Sequence, residues 1–206
     1  MILVTGASGY LGRHVVALLA EGEIPHRGTS RSGIGHLPCD LTDTGDVWHT
    51  LAAVNPLRII HCAAVVPKVG TDYSDGLAAA HSLAMARNLA EIASCPIVFA
   101  SSMTADYGVG GYGRGKWLAE RCIIERNNPA DAIMRLPGLF GAPRKAGVLY
   151  SAALAFLTEQ SFALDAIPTV WAAMDVRNAA EALVEALDNA AAEGLERSFT
   201  ERARGT

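Results

Sequence analysis

The sequence predicts a single α/β domain, a parallel sheet with helices on both faces, and three observations carry that prediction. Short apolar runs alternate with longer helical stretches along most of the 206 residues. The first apolar run ends in a glycine-rich turn at the head of a helix. Half of the residues are hydrophobic and only 18% are charged, enough apolar material to fill a core on each side of a sheet. The length suits one domain over residues 1–206, with no internal repeat, low-complexity segment or linker.

The elements follow in order. Residues 2–4 (Ile-Leu-Val) read as the first buried strand, and residues 10–20 as the helix after the glycine turn. A second short strand lies near 26–29, and a third element ends at Cys39-Asp40. Residues 43–54 are expected to be helical and to be closed by Pro56. Arg58-Ile59-Ile60-His61-Cys62-Ala63-Ala64 reads as the fourth strand, and the alanine-rich stretch 76–94 as a helix. Residues 96–100 form the fifth strand, 112–126 a long helix and 132–135 the sixth strand. The remainder is expected to be mainly helical, most clearly at 176–188. Right-handed crossovers between such strands produce a doubly wound sheet.

Composition excludes several classes of function. A net charge of −4 offers no electrostatic attraction to nucleic acid or to an anionic membrane. No apolar run approaches membrane-spanning length, and Met1-Ile2-Leu3-Val4 is a strand rather than a signal peptide. Cys39, Cys62, Cys95 and Cys122 are far apart, with no paired or metal-binding spacing. They read as reduced thiols of a cytoplasmic protein, and no metal site is expected.

Thr5-Gly6-Ala7-Ser8-Gly9-Tyr10-Leu11-Gly12 places glycines three apart between a strand and a helix. The first permits the tight turn, the second lets backbone approach a pyrophosphate, and the third packs helix on strand. The helix N-terminus then presents N–H groups and a positive dipole end to the phosphates. The expected fold is therefore a Rossmann-like doubly wound parallel sheet, with Gly6, Ser8, Gly9, Tyr10, Leu11 and Gly12 at a dinucleotide. The second strand runs into Ser30-Arg31-Ser32 and holds no acid for a ribose 2′-hydroxyl. Arg31, with Ser30, Ser32 and Arg13, can instead meet a 2′-phosphate, which favours NADP over NAD; the competing reading is a solvated loop arginine. Asp40-Leu41 is expected beside the adenine.

Tyr112-Gly113-Arg114-Gly115-Lys116 puts a phenol and an ammonium four residues apart, on one helix face. A nearby ammonium favours the phenolate and lowers the Tyr pKa, so that Tyr112 can exchange a proton with a carbonyl or alcohol oxygen. The preceding strand ends in Ser101-Ser102, whose hydroxyls should point toward the cofactor, with Ser102 beside Tyr112 at the substrate oxygen. Ser102, Tyr112 and Lys116 are the expected catalytic residues, and Thr104 is an alternative hydroxyl.

These motifs together resemble the extended short-chain dehydrogenase/reductase (NAD-dependent epimerase/dehydratase) family, and the resemblance runs to about residue 190. It implies cofactor contacts at Cys62, Ala63 and Ala64, at the fifth-strand end around Ala100, and in the Arg135-Leu136-Pro137-Gly138-Leu139-Phe140-Gly141 segment through Leu136, Pro137 and Gly138. Asp175-Val176-Arg177-Asn178-Ala179-Ala180 is similar to a late family segment. Within the family, Cys39-Asp40-Leu41-Thr42-Asp43, Asn88-Leu89-Ala90-Glu91, the Tyr112–Lys116 motif and Pro168-Thr169-Val170-Trp171 look most like the dTDP-4-dehydrorhamnose reductase group. The resemblance implies an NAD(P)H-dependent reductase, or an epimerase, of a keto group on a sugar nucleotide. It also implies a homodimer built on the helix of the Tyr–Lys motif and the one before it.

The sequence departs from the family at Ser82, where an Asn is usual, and at Met85, where a Gly is usual. Ser102 and Tyr112 stand only ten residues apart. Residues 142–174 are few for a full substrate lobe, so the C-terminal lobe is expected to be reduced. That reduction favours a second class of function, a non-catalytic NADP-binding sensor or regulatory protein on the same fold. Trp48, Trp117 and Trp171 read as packing residues, with Trp171 a candidate border of the substrate pocket. His61 reads as a hydrogen-bonded near-core residue. Arg144-Lys145 reads as a solvated pair or as contacts to a substrate diphosphate.

Overall fold

The computed structural model describes residues 1–66, 76–106, 110–145, 147–162, 172–189 and 196–198. The chain begins β1 (Ile2–Thr5), α1 (Tyr10–Glu21), β2 (His26–Ser30), β3 (Leu37–Pro38), α2 (Thr44–Val54) and β4 (Arg58–His61). It continues α3 (Gly76–Ile92), β5 (Ile97–Ser102), a 3-10 turn (Met103–Asp106), α4 (Gly110–Glu125) and β6 (Ala132–Leu136). The last elements are β7 (Gly138–Phe140), α5 (Val148–Leu157), β8 (Ala173–Asp175), α6 (Val176–Asn189) and β9 (Glu196–Ser198).

Among the described residues, seven parallel strands form one sheet in the order β3-β2-β1-β4-β5-β6-β9, and β7 and β8 pair separately. This is the Rossmann-like arrangement expected. Strand order reverses between β1 and β4, so the ligand crevice opens beyond their C-terminal ends. There the register aligns Thr29, Thr5, His61 and Phe99 across β2, β1, β4 and β5.

Strand residues alternate between two cores, as the period of two requires. Ile2, Val4, Ile60, Val98 and Met134 pack against α1 and α6 through Val15, Leu19, Ala180 and Leu183. Leu3, Ile59, Ile97, Phe99 and Ile133 pack on the opposite face with Val47, Leu89, Ala119 and Ile123 of α2, α3 and α4. Both faces are buried, which explains why the strands read as continuous apolar runs.

Several elements differ from the sequence reading. β4 stops at His61, and Cys62-Ala63-Ala64 leaves the sheet, with the Cys62 N–H donating to the Thr5 carbonyl and the Ala63 backbone against Gly6. α2 is capped by Asp43, which accepts from the Asp46 N–H, and ends at Asn55 in the left-handed conformation (φ 44°) one residue before Pro56. β3 is only Leu37–Pro38 and ends before Cys39. β5 runs on through Ser102, where the apolar run alone marked an end at residue 100. Among the described residues, the C-terminal region holds three further short strands, too brief to show a period. Trp48 and Trp117 are 57% and 42% exposed rather than packed. Trp171, with Pro168-Thr169-Val170, lies outside the described residues. Among the described residues, no helix is long and apolar enough to cross a membrane.

Candidate active site

The structure shows what the first and third glycines of the loop do. Gly6 has φ 68°, and a Cβ there would lie 2.7 Å from the Ala63 backbone, so the turn requires glycine twice over. A Cβ on Gly12 would stand 2.2 Å from the Gly6 carbonyl oxygen, which is how α1 comes so close to the turn. Gly9 is different. A Cβ there would meet only the Gly6 oxygen, at 3.0 Å, and otherwise point into open space. Gly9 is also the N-cap of α1, offers no side-chain cap, and is followed by a first turn without an acid. Neither the cap nor the first turn of α1 therefore neutralises its positive end, a condition that suits an anion at that place. These residues fit a dinucleotide pyrophosphate. Arg13 donates to the Ser8 and Gly9 carbonyls and holds the loop's outer edge.

The flanks of the crevice are fixed by side chains. Ser30 is buried, its hydroxyl accepting from the Gly33 N–H, so it shapes its own turn, while Arg31 and Ser32 are exposed beyond it. Asp40 accepts from the Thr42 hydroxyl and N–H, which hold its carboxyl below the usual carboxylate range with help from Arg31. Leu41 is buried, and its carbonyl accepts from the Asn88 side chain at 2.9 Å. Ser82 accepts from the Val65 N–H at 3.1 Å and so pins the segment that follows Cys62-Ala63-Ala64. The serine at this departure from the family pattern thus has a structural task.

Tyr112 and Lys116 share one stripe of α4, half-buried and buried respectively. Lys116 Nζ donates to the Ala100 carbonyl at 2.7 Å and lies 4.8 Å from the centre of the Phe99 ring. Burial lowers its pKa to about 8, opposed by Cys62 and Glu120. Burial likewise pushes the Cys62 thiol up to about 12, so it stays neutral and Glu120 is the standing negative charge nearby. The two candidate hydroxyls are in contact: the Thr104 hydroxyl and N–H both donate to Ser102 Oγ, at 3.0 and 3.3 Å. Ser101 departs from the expectation. Its hydroxyl turns away from the crevice and donates to the buried Glu120 carboxylate, which Arg135 grips at 2.9 and 2.6 Å.

His61 is fully buried, with Nδ1 2.7 Å from the Thr5 hydroxyl and its ring stacked on Phe99. Among the described residues, His61 Nε2 and Thr29 Oγ1 are the buried side-chain polar atoms without a partner, both in the row that ends at the crevice. On the outer side, the Tyr10 hydroxyl donates to the Gly141 carbonyl at 2.8 Å, and the Arg144 guanidinium lies over the Tyr10 ring at 5.5 Å. Arg144 is therefore half-buried against the glycine loop rather than solvated. Leu136, Pro137 and Gly138 connect β6 to β7 beside this contact. Glu120 was not singled out in the sequence, and Arg135 and Asn88 stood there only as parts of family-like segments, not for these contacts. A Glu four residues past Lys116, facing an Arg in a buried strand, was the available signal.

A glycine loop at a strand-order reversal, with a Tyr–Lys pair on the helix after β5, defines a Rossmann-like α/β domain. The sequence profile described as the NAD dependent epimerase/dehydratase family matches residues 2–199, and the chain belongs to that family. It is 29% identical over 157 residues to a dTDP-4-dehydrorhamnose reductase of Streptomyces griseus, covering 68% of this chain and 50% of that protein. It is 28% identical over 159 residues to methionine adenosyltransferase 2 subunit beta of Bos taurus, covering 68% and 47%. The chain thus spans about half the length of these curated relatives. The fold superposes on UDP-glucose 4-epimerase of Thermotoga maritima, solved with UDP-glucose, with a TM-score of 0.73 at 17% identity over 91% of this chain and 73% of that one.

Proposed function

We propose that this protein is an NADP-dependent reductase, or epimerase, acting on the keto group of a nucleotide-sugar-like substrate, with Ser102, Tyr112 and Lys116 at the reacting oxygen. The observation that carries this reading is the buried Lys116 ammonium at the crevice end of β5, one helical turn from Tyr112. A structural role alone would not favour burying an ammonium there, because desolvation costs several kcal/mol. An acid–base role does favour it.

Gly6, Ser8, Gly9, Tyr10, Leu11 and Gly12 would hold the pyrophosphate, Asp40 and Leu41 the adenine side, and Cys62, Ala63, Ala64, Ala100, Leu136, Pro137 and Gly138 the remainder of the dinucleotide. Arg31 and Ser32, outside the turn held by Ser30, would receive the 2′-phosphate. A dinucleotide held there would supply hydride chemistry at the substrate carbon. Ser102 holds the carbonyl oxygen, with its own lone pairs oriented by Thr104. Tyr112 gives that oxygen its proton, and the Lys116 charge lowers the cost of the phenolate left behind. The reading places the protein in the cytoplasm. It includes a homodimer through α3 and α4, where Leu77, Trp117 and Ile124 are exposed; a monomeric mass at every concentration in light scattering removes that part.

The test is Tyr112→Phe assayed with NADPH and a 4-keto sugar nucleotide. Turnover should fall at least ~1000-fold while the NADPH Kd stays within about threefold. Retained turnover removes Tyr112 from the mechanism. A second reading, a dinucleotide-binding subunit of another protein, draws on the relative whose name marks it as a subunit and on α5, where Leu154, Phe156 and Leu157 are 46%, 84% and 77% exposed. NADPH binding with no turnover of any carbonyl substrate would favour it.

A further inference from the structure

Glu120 is among the most deeply buried charged residues described, 2% exposed, and both of its oxygens are engaged. Oε1 accepts from the Ser101 hydroxyl and from Arg135 Nε at 2.9 Å, and Oε2 accepts from Arg135 Nη2 at 2.6 Å. Ser101 and Arg135 are register partners across β5 and β6, so this one carboxylate ties α4 to two neighbouring strands at their crevice ends. Tyr112, Lys116 and Glu120 recur every four residues on one stripe of α4. Lys116 and Glu120 therefore grip adjacent residues of β5, the ammonium on the Ala100 carbonyl and the carboxylate on the Ser101 hydroxyl.

Resting on the reading of the site given above, we propose that Glu120 is a positioning residue of the reaction centre. It fixes the Lys116 ammonium at the end of β5 and serves as the fixed anion between Lys116 and Arg135.

The charges around this stripe support the role. Burial lowers the Lys116 pKa, Glu120 is among the groups that oppose that lowering, and Arg135 holds the carboxylate at both oxygens. Among the other described groups around Lys116, His61 of β4 is held neutral by burial, Cys62 stays a thiol, Phe99 of β5 offers a ring face, and Tyr112 stands one turn back on α4. A charged Lys116 is what a phenolate at Tyr112 needs. Without Glu120, Lys116 would lose a fixed counter-charge and give up its proton more readily. A lone surface ion pair could be removed at little cost, but this one is desolvated and bidentate.

The test uses Glu120→Gln, which keeps the acceptor and removes the charge, and Glu120→Asp, which keeps the charge and shortens the reach. Lys116 is followed by carbon-13 NMR of lysine-labelled protein, its signal assigned with Lys68→Arg and Lys145→Arg. In Glu120→Gln the Lys116 titration should move down by about one pH unit, and the alkaline limb of kcat with it. In Glu120→Asp the titration should stay within about half a unit while kcat falls at least ~10-fold at an unchanged NADPH Kd. Should Glu120→Gln fail to fold, Ser101→Ala releases one side of the clamp and should lower kcat about threefold with KM unchanged. An unmoved Lys116 titration in folded Glu120→Gln, or wild-type kcat in Glu120→Asp and Ser101→Ala, overturns the proposal. If the native protein has no carbonyl turnover at all, the functional reading fails on its own, and the Lys116 titration still decides the role of Glu120.

Discussion

Replacing Gly12 by alanine would place a Cβ 2.2 Å from the Gly6 carbonyl oxygen, 2.8 Å from the Gly6 carbonyl carbon and 3.0 Å from the Ala7 Cα. All three are backbone atoms of the turn, which cannot swing aside as a side chain tip would. Relief requires α1 to lift away from β1, where Val15 and Leu19 are fully buried. Overpacking a tight site costs 1–3 kcal/mol, and an all-backbone clash belongs at the upper end, roughly 3 kcal/mol. For a domain of this size that lowers Tm by about 6–12 °C. Gly9→Ala should behave in the opposite way. Its φ of −71° and ψ of 172° suit alanine, and the added Cβ meets one oxygen at 3.0 Å, a cost of roughly 1 kcal/mol or less. The same Cβ occupies the approach to the helix end, so dinucleotide affinity should fall at least ~100-fold, about 2.7 kcal/mol. Thermal unfolding and calorimetric titration with NADPH and NADH, run on both variants, separate the two effects. Gly12→Ala with an unchanged Tm, or Gly9→Ala binding like the native protein, refutes the division of labour between these glycines.

Three further outcomes are expected. Arg31→Ala should weaken NADPH at least ~10-fold while changing NADH little, and equal losses in calorimetry would count against the 2′-phosphate contact. Burial, with the Lys116 charge second, depresses His61 to about 3 from 6.5, so the unfolded chain binds the extra proton first and stability falls as pH drops from 6.5 toward 3. That group contributes about 1.4 kcal/mol per pH unit in the window, and denaturant titrations of His61→Gln should show a correspondingly flatter acid limb. Arg126 donates to Asp131 at 2.7 Å and to the Ala90, Ala93 and Cys95 carbonyls, closing the C-terminal end of α3 in a dry site. Arg126→Ala should cost about 3–5 kcal/mol, whereas Arg177→Ala, which breaks the exposed pairs with Glu21 and Glu181, should stay within about 0.5 kcal/mol by the same assay.

The sheet and its crevice were legible because their signals are local. Apolar strands bounded by turn residues, and glycines at fixed offsets, constrain backbone within a few positions of themselves, and the Tyr–Lys spacing is fixed by helix pitch. What stayed hidden depends on distant partners. Ser101 and Ser102 look equivalent in sequence, yet strand alternation sends one hydroxyl to Glu120 and leaves the other to Thr104. Glu120 carries no local signal because its partner Arg135 lies in another element. Trp48 and Trp117 were expected to pack because aromatic side chains usually do, but both are exposed. β7 and β8 pair across a long stretch of chain and are three residues each, so no periodicity could reveal them.

The bond from Tyr10 to Gly141 has a mechanical consequence. Tyr10 is the first residue of α1, and its hydroxyl holds a carbonyl 131 positions later in the chain, while one turn further on His14 Nε2 lies 3.1 Å from the Ala142 carbonyl. Helix and loop are thus latched together at two points, with the Arg144 guanidinium laid over the first. Any tilt of α1 drags residues 141–144 with it, so a force applied at the helix tip is felt at the entrance to α5 without passing through the sheet.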